Sequence, residues 1–501
     1  MKLPWPFSKS RPTIAATVVP QSKRPRRIRH GFDGATTGTL YSRWLTLDQK
    51  LDLELRSSLP ALRARARDLM KNDDYCRRYM NLLLQNVVGL GVQLQARISD
   101  SNGKLDTANN RMIEDAWWKF TRKGRTSADG KLSFHDVERL VLKGAGTDGE
   151  IFIRKHVVNS EFRLEVIPAD AVDVRYEADL GKGRRVVMGV ELDDFNRPLA
   201  YHVVTRPQSS GEQRVRIPAN EVIHVVDPEF ADQTRGFPWI VSGMRTLHVL
   251  KLYREAELIA ADVAAGKMGF FTSRTGEEFS AIAVDREEED GPLITNADPG
   301  TFHELPEGMQ FSTFDPQHPN SSYAPFVQEV LRGIASGFGI SYAALANDPT
   351  AMSWSALRHV ELQDRDFYRT KQAWLIESLH VPVFEAWLEH AMLSGALDGK
   401  TIPPSAFDKL NNVQFMPRSW AWVDPLKDIE ANREMVRMNV KSLTAVAAEQ
   451  GSDLEEVIKQ RVKERALLDA AGLPDGLDSR VSPAQADDEG GQPVNGRPTE
   501  K

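Results

Sequence analysis

The residues of this 501-residue chain that could do chemistry are three glycine-rich strings and a few histidines. Gly144-Ala145-Gly146-Thr147-Asp148-Gly149 spells the G-x-G-x-x-G pattern that cradles a dinucleotide. That chemistry needs a strand before the glycines and a helix after them, so that free N–H groups at the helix start meet the pyrophosphate. Here a helical pattern, Phe134–Lys143, comes before, and a strand-like Ile151-Phe152-Ile153 comes after. The order is reversed, and the glycines read as turn residues. Gly395-Ala396-Leu397-Asp398-Gly399-Lys400-Thr401 ends like a phosphate-binding P-loop. It is one residue short between its glycines, with Ser394 where the first glycine belongs, and it runs into Ile402-Pro403-Pro404 instead of opening a helix. ATP hydrolysis is not expected.

Gly333-Ile334-Ala335-Ser336-Gly337 displaces its serine by one from a G-x-S-x-G elbow and lies inside a helical pattern. His359 and Glu361 form an H-x-E string, but the chain has one cysteine, Cys76, so the P-C-x-x-C half of a zinc deaminase set cannot exist. His380 and His390 have no partner at metal-ligand spacing and read as surface or packing residues. No pair of carboxylates stands out as an acid/base couple. Cys76 reads as a small apolar residue on a helix, and a single thiol suits synthesis in a reducing cytosol. No catalytic residue, cofactor or metal is therefore expected.

The bulk composition is that of a soluble globular protein, 41% hydrophobic and 27% charged, large enough for two to four domains. A net charge of −6 argues against a surface that grips nucleic acid all over, because each neutralised phosphate adds counterion-release free energy. No apolar run approaches the roughly 20 residues that span a bilayer, and Met1–Phe7 has neither the apolar core nor the cleavage site of a signal peptide. Neither a membrane anchor nor secretion by that route is expected.

The elements that would position any site follow from periodicity. Residues 1–44 read as a disordered arm with a basic cluster, Lys23, Arg24, Arg26, Arg27 and Arg29, and order begins near Leu45. Leu59, Leu62, Ala66 and Leu69 recur at helical spacing, as do Tyr79, Leu82 and Val87, and a further helix carries Trp117, Trp118 and Phe120. Val92–Ala96 alternates like a strand, and strands are expected at Ile151–Ile153, Phe162–Ile167, Val186–Leu192, Leu199–Val204 and Val222–Val226. Trp239–Ala265 reads as one helix roughly 40 Å long, and helix resumes at Tyr323–Phe338. Between them lie short extended pieces at Met268–Thr272, Thr301–Leu305 and Gln310–Phe314 and an acidic run, Asp285–Asp290. A loop, Ser341–Met352, precedes a helix capped by Ser353 or Ser355 that reaches His380, where Pro382 should kink or break it. Helices are expected from Leu426 to Met438 and from a cap at Ser452 to Ala471, then a disordered tail, 473–501. Long helices flanking a small β-rich insert need neighbours along their length. Other copies of the same subunit are one source, and an extended bundle within one chain is the other.

Several stretches resemble the lambda-type phage portal protein family. They are Arg67-Asp68-Leu69 with Asn72, Arg77-Arg78 and Asn86–Gly91, then Asp148-Gly149-Glu150, Leu164–Ile167 with Ala169-Asp170, and Gly189-Val190-Glu191 with Arg197-Pro198. Ile217-Pro218-Ala219 and Glu221–His224 lead into Gln233–Trp239, and Phe314–Asn320, Ser353–Arg358 and Trp422–Lys427 complete the set. They occur in the family's order and span residues 45–472.

The resemblance implies an α+β portal fold with a wing, long stem helices, a β-containing clip and an α-helical crown, assembled as a ring, usually of twelve subunits. On that pattern residues 45–235 form the wing, 236–265 and 321–340 the stem helices, 266–320 the clip and 341–352 a tunnel loop. Residues 353–394 form a wing-spanning helix kinked at Pro382, and 395–472 the wing return and crown. The loop residues Ala346, Asn347, Asp348, Pro349, Thr350, Ala351 and Met352 would face double-stranded DNA that passes through without sequence-specific contact. The implied partners are further copies of the chain, terminase, the head–tail connector, and the major capsid and scaffold proteins. The chain would be made in the host cytoplasm and reside at the portal vertex of the virion. The alternatives are another phage head structural or connector protein, or a packaging or maturation enzyme such as a terminase subunit or a protease, for which the sequence offers no active site.

Overall fold

Leu55, Leu59, Ala66 and Leu69 bury one stripe of α1 (Leu51–Asn72), and Arg63 lies buried on the same stripe. The computed structural model describes residues 50–205, 213–265, 269–273, 309–313, 321–350, 352–420, 425–450 and 454–472. The expected basic arm, most of the 266–320 insert with its acidic run and Phe314–Asn320, Ala351, Ser452 and the tail lie outside them. α2 (Asp74–Leu83) starts at Asp73, whose Oδ1 accepts the Cys76 N–H at 2.9 Å, and Cys76 is buried on the helix as expected. A π-helical turn, Leu84–Val88, ends this segment at Gly89.

After β1 (Gln93–Ala96) and α3 (Thr107–Phe120), α4 (Phe134–Asp148) opens with a reciprocal cap. Ser133 Oγ accepts the Asp136 N–H at 3.2 Å and Asp136 Oδ2 accepts the Ser133 N–H at 3.0 Å, a device that contributes about 1 kcal/mol. α4 corrects the expectation for the first glycine string. It continues past Lys143, so Gly144 and Gly146 are helical and only Gly149, at φ 89°, turns the chain. The two helical glycines permit close packing. A Cβ at Gly144 would lie 2.7 Å from Ile151 Cδ1, and one at Gly146 would lie 2.7 Å from Met80 Cε.

β2 (Glu150–Val158) and β3 (Glu161–Ile167) form an antiparallel hairpin. A consecutive antiparallel sheet follows, built from β4 (Ala178–Gly181), β5 (Arg184–Val187), β6 (Val190–Leu192), β7 (Pro198–Thr205) and β8 (Gln213–Pro218). The expected single strand Val186–Leu192 is two strands here, folded back at Met188 and Gly189, both at positive φ. β9 (Val222–Val226) then returns to the free edge of β2, placing His224 opposite Phe152.

The long helix is α5 (Val241–Ala265), two residues shorter at its start than expected. β10 (Gly269–Ser273) pairs antiparallel with β11 (Met309–Thr313), and α6 (Tyr323–Phe338) packs back on α5, with Tyr253 against Tyr323 and Phe326. The loop expected after it contains one turn of helix, α7 (Tyr342–Ala346), because Ser341 caps it by accepting the Ala344 N–H at 3.1 Å. Ser353 likewise caps α8 (Trp354–Leu375), accepting the Ala356 N–H at 3.3 Å. Pro382 neither breaks the helix nor ends it. A π-helical turn, Ile376–His380, absorbs the missing N–H ahead of the proline, and α9 (Val381–Ser394) continues.

After α10 (Phe407–Leu410), β12 (Val413–Met416) pairs antiparallel with β1 and sets Phe415 opposite Leu94. α11 (Pro425–Arg437), the unanticipated α12 (Leu443–Glu449) and α13 (Leu454–Ala471) close the described chain. The core centres on Trp117, whose ring lies 5.0–5.4 Å from those of Phe134, Phe384 and Trp387. Each such buried aromatic side chain contributes about 1.5–3 kcal/mol relative to exposure.

Candidate functional site

The loop singled out from the sequence is held at both ends. At its start, Ser341 donates from N and Oγ to the two carboxylate oxygens of Asp364 on α8, at 2.8 and 2.6 Å. Burial raises the Asp364 carboxyl, while the two Ser341 hydrogen bonds oppose that rise. At the end of α7, Asn347 takes the left-handed conformation, φ 54° and ψ 40°, and caps the helix. Asp348 is occupied by its own loop. It accepts from Tyr342 Oη at 3.2 Å, from Thr350 N at 3.1 Å and from Thr350 Oγ1, and the Thr350 bonds hold its carboxyl below the usual range. Met352 N closes the turn on Pro349 O at 3.2 Å. Thus Ala346, Asn347, Asp348, Pro349, Thr350 and Met352 form one ordered connection, and Ala351 lies outside the described residues.

The loop segment itself carries no cation, but the fold supplies one. Arg78 of α2 donates from Nε to Ala344 O at 3.2 Å and from Nη2 to Asn347 Oδ1 at 3.3 Å. The sequence reading missed it because the two positions are far apart in the chain.

A second polar centre lies in the interior, and residues quoted for the family resemblance meet there. Glu150, at the start of β2, is fully buried. Its Oε1 accepts from Arg63 Nη2 and from Arg235 Nε, each at 2.6 Å, and its Oε2 faces His224 Nε2 at 2.8 Å and accepts the Gly236 N–H at 2.9 Å. Burial alone would raise this carboxyl, but the Arg235 and Arg63 guanidiniums and His224 hold it far below the usual carboxylate range. Arg235 also donates to Val172 O and Ala169 O, at 3.2 and 3.0 Å, and to Met188 O. One turn along α1, Arg67 grips Asp148 with two bonds of 2.7 and 2.9 Å and also reaches Asp170. The cluster ties α1, the α4–β2 turn, the five-stranded sheet and the entry to α5 together. Its signal in the sequence was an arginine, Arg63, at an otherwise apolar position of the α1 stripe.

The near-motif residues lie on separate elements of the fold. Lys400 is exposed, 3.9 Å from Asp398, in the connection after α9. Ser336 lies within α6, and His359 and Glu361 are exposed on α8, where Glu361 pairs with Arg365. His390 is half-buried near Phe162. His380 differs from the expectation of a plain packing residue. It is buried, with Nε2 2.7 Å from Glu138 Oε1, and Glu138 also faces His135 at 3.2 Å and accepts the Val92 N–H at 3.1 Å. Among the described residues no group of three or more His, Cys, Asp or Glu side chains could hold a metal ion, and no helix is long and apolar enough to cross a membrane.

Comparison with known proteins agrees with the ordered motifs. The family model described as phage portal protein, lambda family, matches residues 37–372. A protein of Halomonas phage phiHAP-1 named "Probable portal protein" is 34% identical over 426 residues, covering 82% of this chain and 81% of that protein. Portal protein B of Escherichia phage lambda is 23% identical over 507 residues, covering 92% and 94%. Among solved structures, a chain in the neck of an empty gene transfer agent particle is similar at TM-score 0.42 and 13% identity, over 82% of this chain and 94% of that one. A chain in the virion of the native particle is similar at TM-score 0.41 and 11% identity, over 83% and 94%. With the family description matched over two thirds of its length and a third of its residues shared with a relative of like extent, this chain belongs to the lambda family of phage portal proteins, structural components of the virion and not enzymes.

Proposed function

We propose that this portal protein is one subunit of a closed ring of twelve copies at one capsid vertex, through whose hole double-stranded DNA enters and leaves. The observation that carries the reading is the apolar surface left on the long helices. Val249, Leu252, Leu258 and Ile259 on α5 and Phe326 on α6 are each more than half exposed. Water-exposed apolar surface along a hairpin of this length favours association with a neighbour, and further copies of the chain in a ring would cover it in every subunit alike. Ile458, Val462 and Leu467 leave a similar surface on α13.

In this reading residues 45–235 are the wing, 236–265 and 321–340 the stem, 266–320 the clip, 341–352 the tunnel loop, 353–394 the wing-spanning helix, and 395–472 the wing return and crown. The clip would dock terminase during packaging and the head–tail connector afterwards, and the outer surface would meet major capsid and scaffold proteins. A conduit must let a polyanion slide. A protein making about 6–10 phosphate contacts holds DNA strongly enough that modest salt changes its affinity by orders of magnitude. A chain of net charge −6 avoids that grip, and the energy for movement would come from a partner.

Negative-stain images of the purified protein test this. Closed rings with an axial hole are expected, and a monodisperse monomer at micromolar concentration would overturn the reading.

A further inference from the structure

A cavity of about 480 Å³ opens between α8, β12 with the segment after it, and α12. Its wall gathers three arginines from distant parts of the chain, Arg97, Arg369 and Arg418, against one carboxylate, Glu449, which is itself paired with Lys441. Like charges brought together in this way favour an anion between them. Arg97 is half-buried at the wall, where its Nη2 donates to Gln95 Oε1 at 3.1 Å.

The rest of the wall is built independently of any ligand. Asn86, in the first π-helical turn, accepts at Oδ1 from Arg418 Nη1 and from Trp420 Nε1, both at 3.0 Å. Gln372, almost fully buried, donates from Nε2 to Asn86 O and to Arg418 O, both at 2.9 Å. The guanidiniums of Arg369 and Arg418 lie 5.6 and 6.0 Å from the centre of the Trp420 ring. Phe415 and Pro417 give the opposite character, an apolar surface beside the cations. The volume falls within the range of small-molecule sites, roughly 300–1,000 Å³, and exceeds what a bare oxyanion would fill. Arginine is the side chain that meets phosphate oxygens in a bidentate fashion.

We propose that this cavity binds a small phosphate ester of mononucleotide size, its phosphoryl group among Arg97, Arg369 and Arg418 and its organic part against the Phe415–Pro417 wall. Isothermal titration of the full-length assembled protein with dAMP, and with deoxyadenosine as the uncharged control, tests it. One dAMP per subunit is expected, with deoxyadenosine bound about tenfold more weakly or worse. Arg369 is exposed and pairs with Asp366 on its own helix, so Arg369→Gln should fold like the parent and weaken dAMP by about tenfold. Arg97→Gln should do the same. A short duplex that displaces dAMP would identify a nucleic-acid backbone as the source of the phosphate, and one that does not would identify a free nucleotide. The proposal is overturned by no dAMP binding at millimolar concentration, by equal binding of deoxyadenosine, or by binding unchanged in both arginine variants.

Discussion

Arg63 and Arg235 converge on one atom, Glu150 Oε1, each at 2.6 Å, with all three side chains almost completely shielded from water. Removing Arg235 leaves Glu150 paired with Arg63 but strips one charged hydrogen bond from the buried carboxylate, a loss of about 1.5–3 kcal/mol. Arg235→Met also strands the carbonyls of Ala169 and Val172, so it should destabilise the subunit by at least that range. Urea denaturation of the variant and the parent checks this. A loss of about 1 kcal/mol or less, the size of an exposed pair, would mean that water reaches the cluster.

Three buried carboxylates, Glu150, Glu138 and Glu191, contribute stability that depends on pH in the acid range. Glu150 is held low by Arg235, Arg63 and His224 against the opposing effect of burial. Glu138 is held low by His135 and His380, again against burial, and Glu191 by its hydrogen bond from Arg216. Each folded value lies below the ordinary glutamate value of 4.5, so the unfolded chain binds more protons as the pH falls. The stability they contribute is fully present above pH 4.5 and is lost as the pH drops through the folded values. Glu150→Gln should be less stable at neutral pH and show a shallower loss in acid. Denaturation midpoints measured across the acid range would expose an error in sign, since a parallel curve would remove Glu150 from the acid transition.

Much of the framework was legible because it is local. The Tyr323–Phe338 helix, the Ser353 cap and the β2–β3–β9 strands follow from periodicity and capping within a few residues. The glycines at 144–149 read as turn residues because nothing local shows that Ile151 and Met80 fill the space that Cβ atoms at Gly144 and Gly146 would take. β12 was missed because its partner, β1, lies at the other end of the sequence, and a short strand on its own carries little pattern. The Glu150 cluster draws on residues 63, 150, 224 and 235. Each sat in or beside a stretch quoted for the family resemblance, yet only the fold shows them to be one unit.

Gly149 and Gly333 predict opposite results for the same substitution. A Cβ at Gly149 would lie 2.1 Å from Phe237 N, at φ 89°, so Gly149→Ala should prevent the α4–β2 turn from seating and leave little folded protein. Gly333 lies inside α6 with nothing within 4 Å of its added Cβ, and alanine there should stabilise the subunit by about 0.5–1 kcal/mol. Thermal denaturation separates the two, and a destabilised Gly333→Ala would mean that the helix face needs glycine for close contact.

Lys400 stands exposed beside Asp398, with no helix opening after the glycines. Purified protein should turn over no ATP, and Lys400→Ala should leave a phosphate-release assay unchanged. Turnover abolished by that substitution would restore the P-loop reading.

The loop between α7 and α8 can be altered without touching the bond that anchors it. Ser341 remains tied to Asp364 whatever happens beyond Asn347. Asn347 occupies the left-handed region, where alanine costs about 1–2 kcal/mol and glycine costs little, so Asn347→Gly should preserve α7 while loosening its exit. Asp348→Ala removes the acceptor that gathers Tyr342 and Thr350 and should free the loop more thoroughly. Because the apolar faces of α5 and α6 are untouched, both variants should still form rings under negative stain. If the loop lies beside passing DNA, particles assembled with Asp348→Ala should hold less nuclease-protected DNA than the parent, with Asn347→Gly between them. Equal DNA content in all three would take the loop out of the DNA path while leaving the ring itself intact.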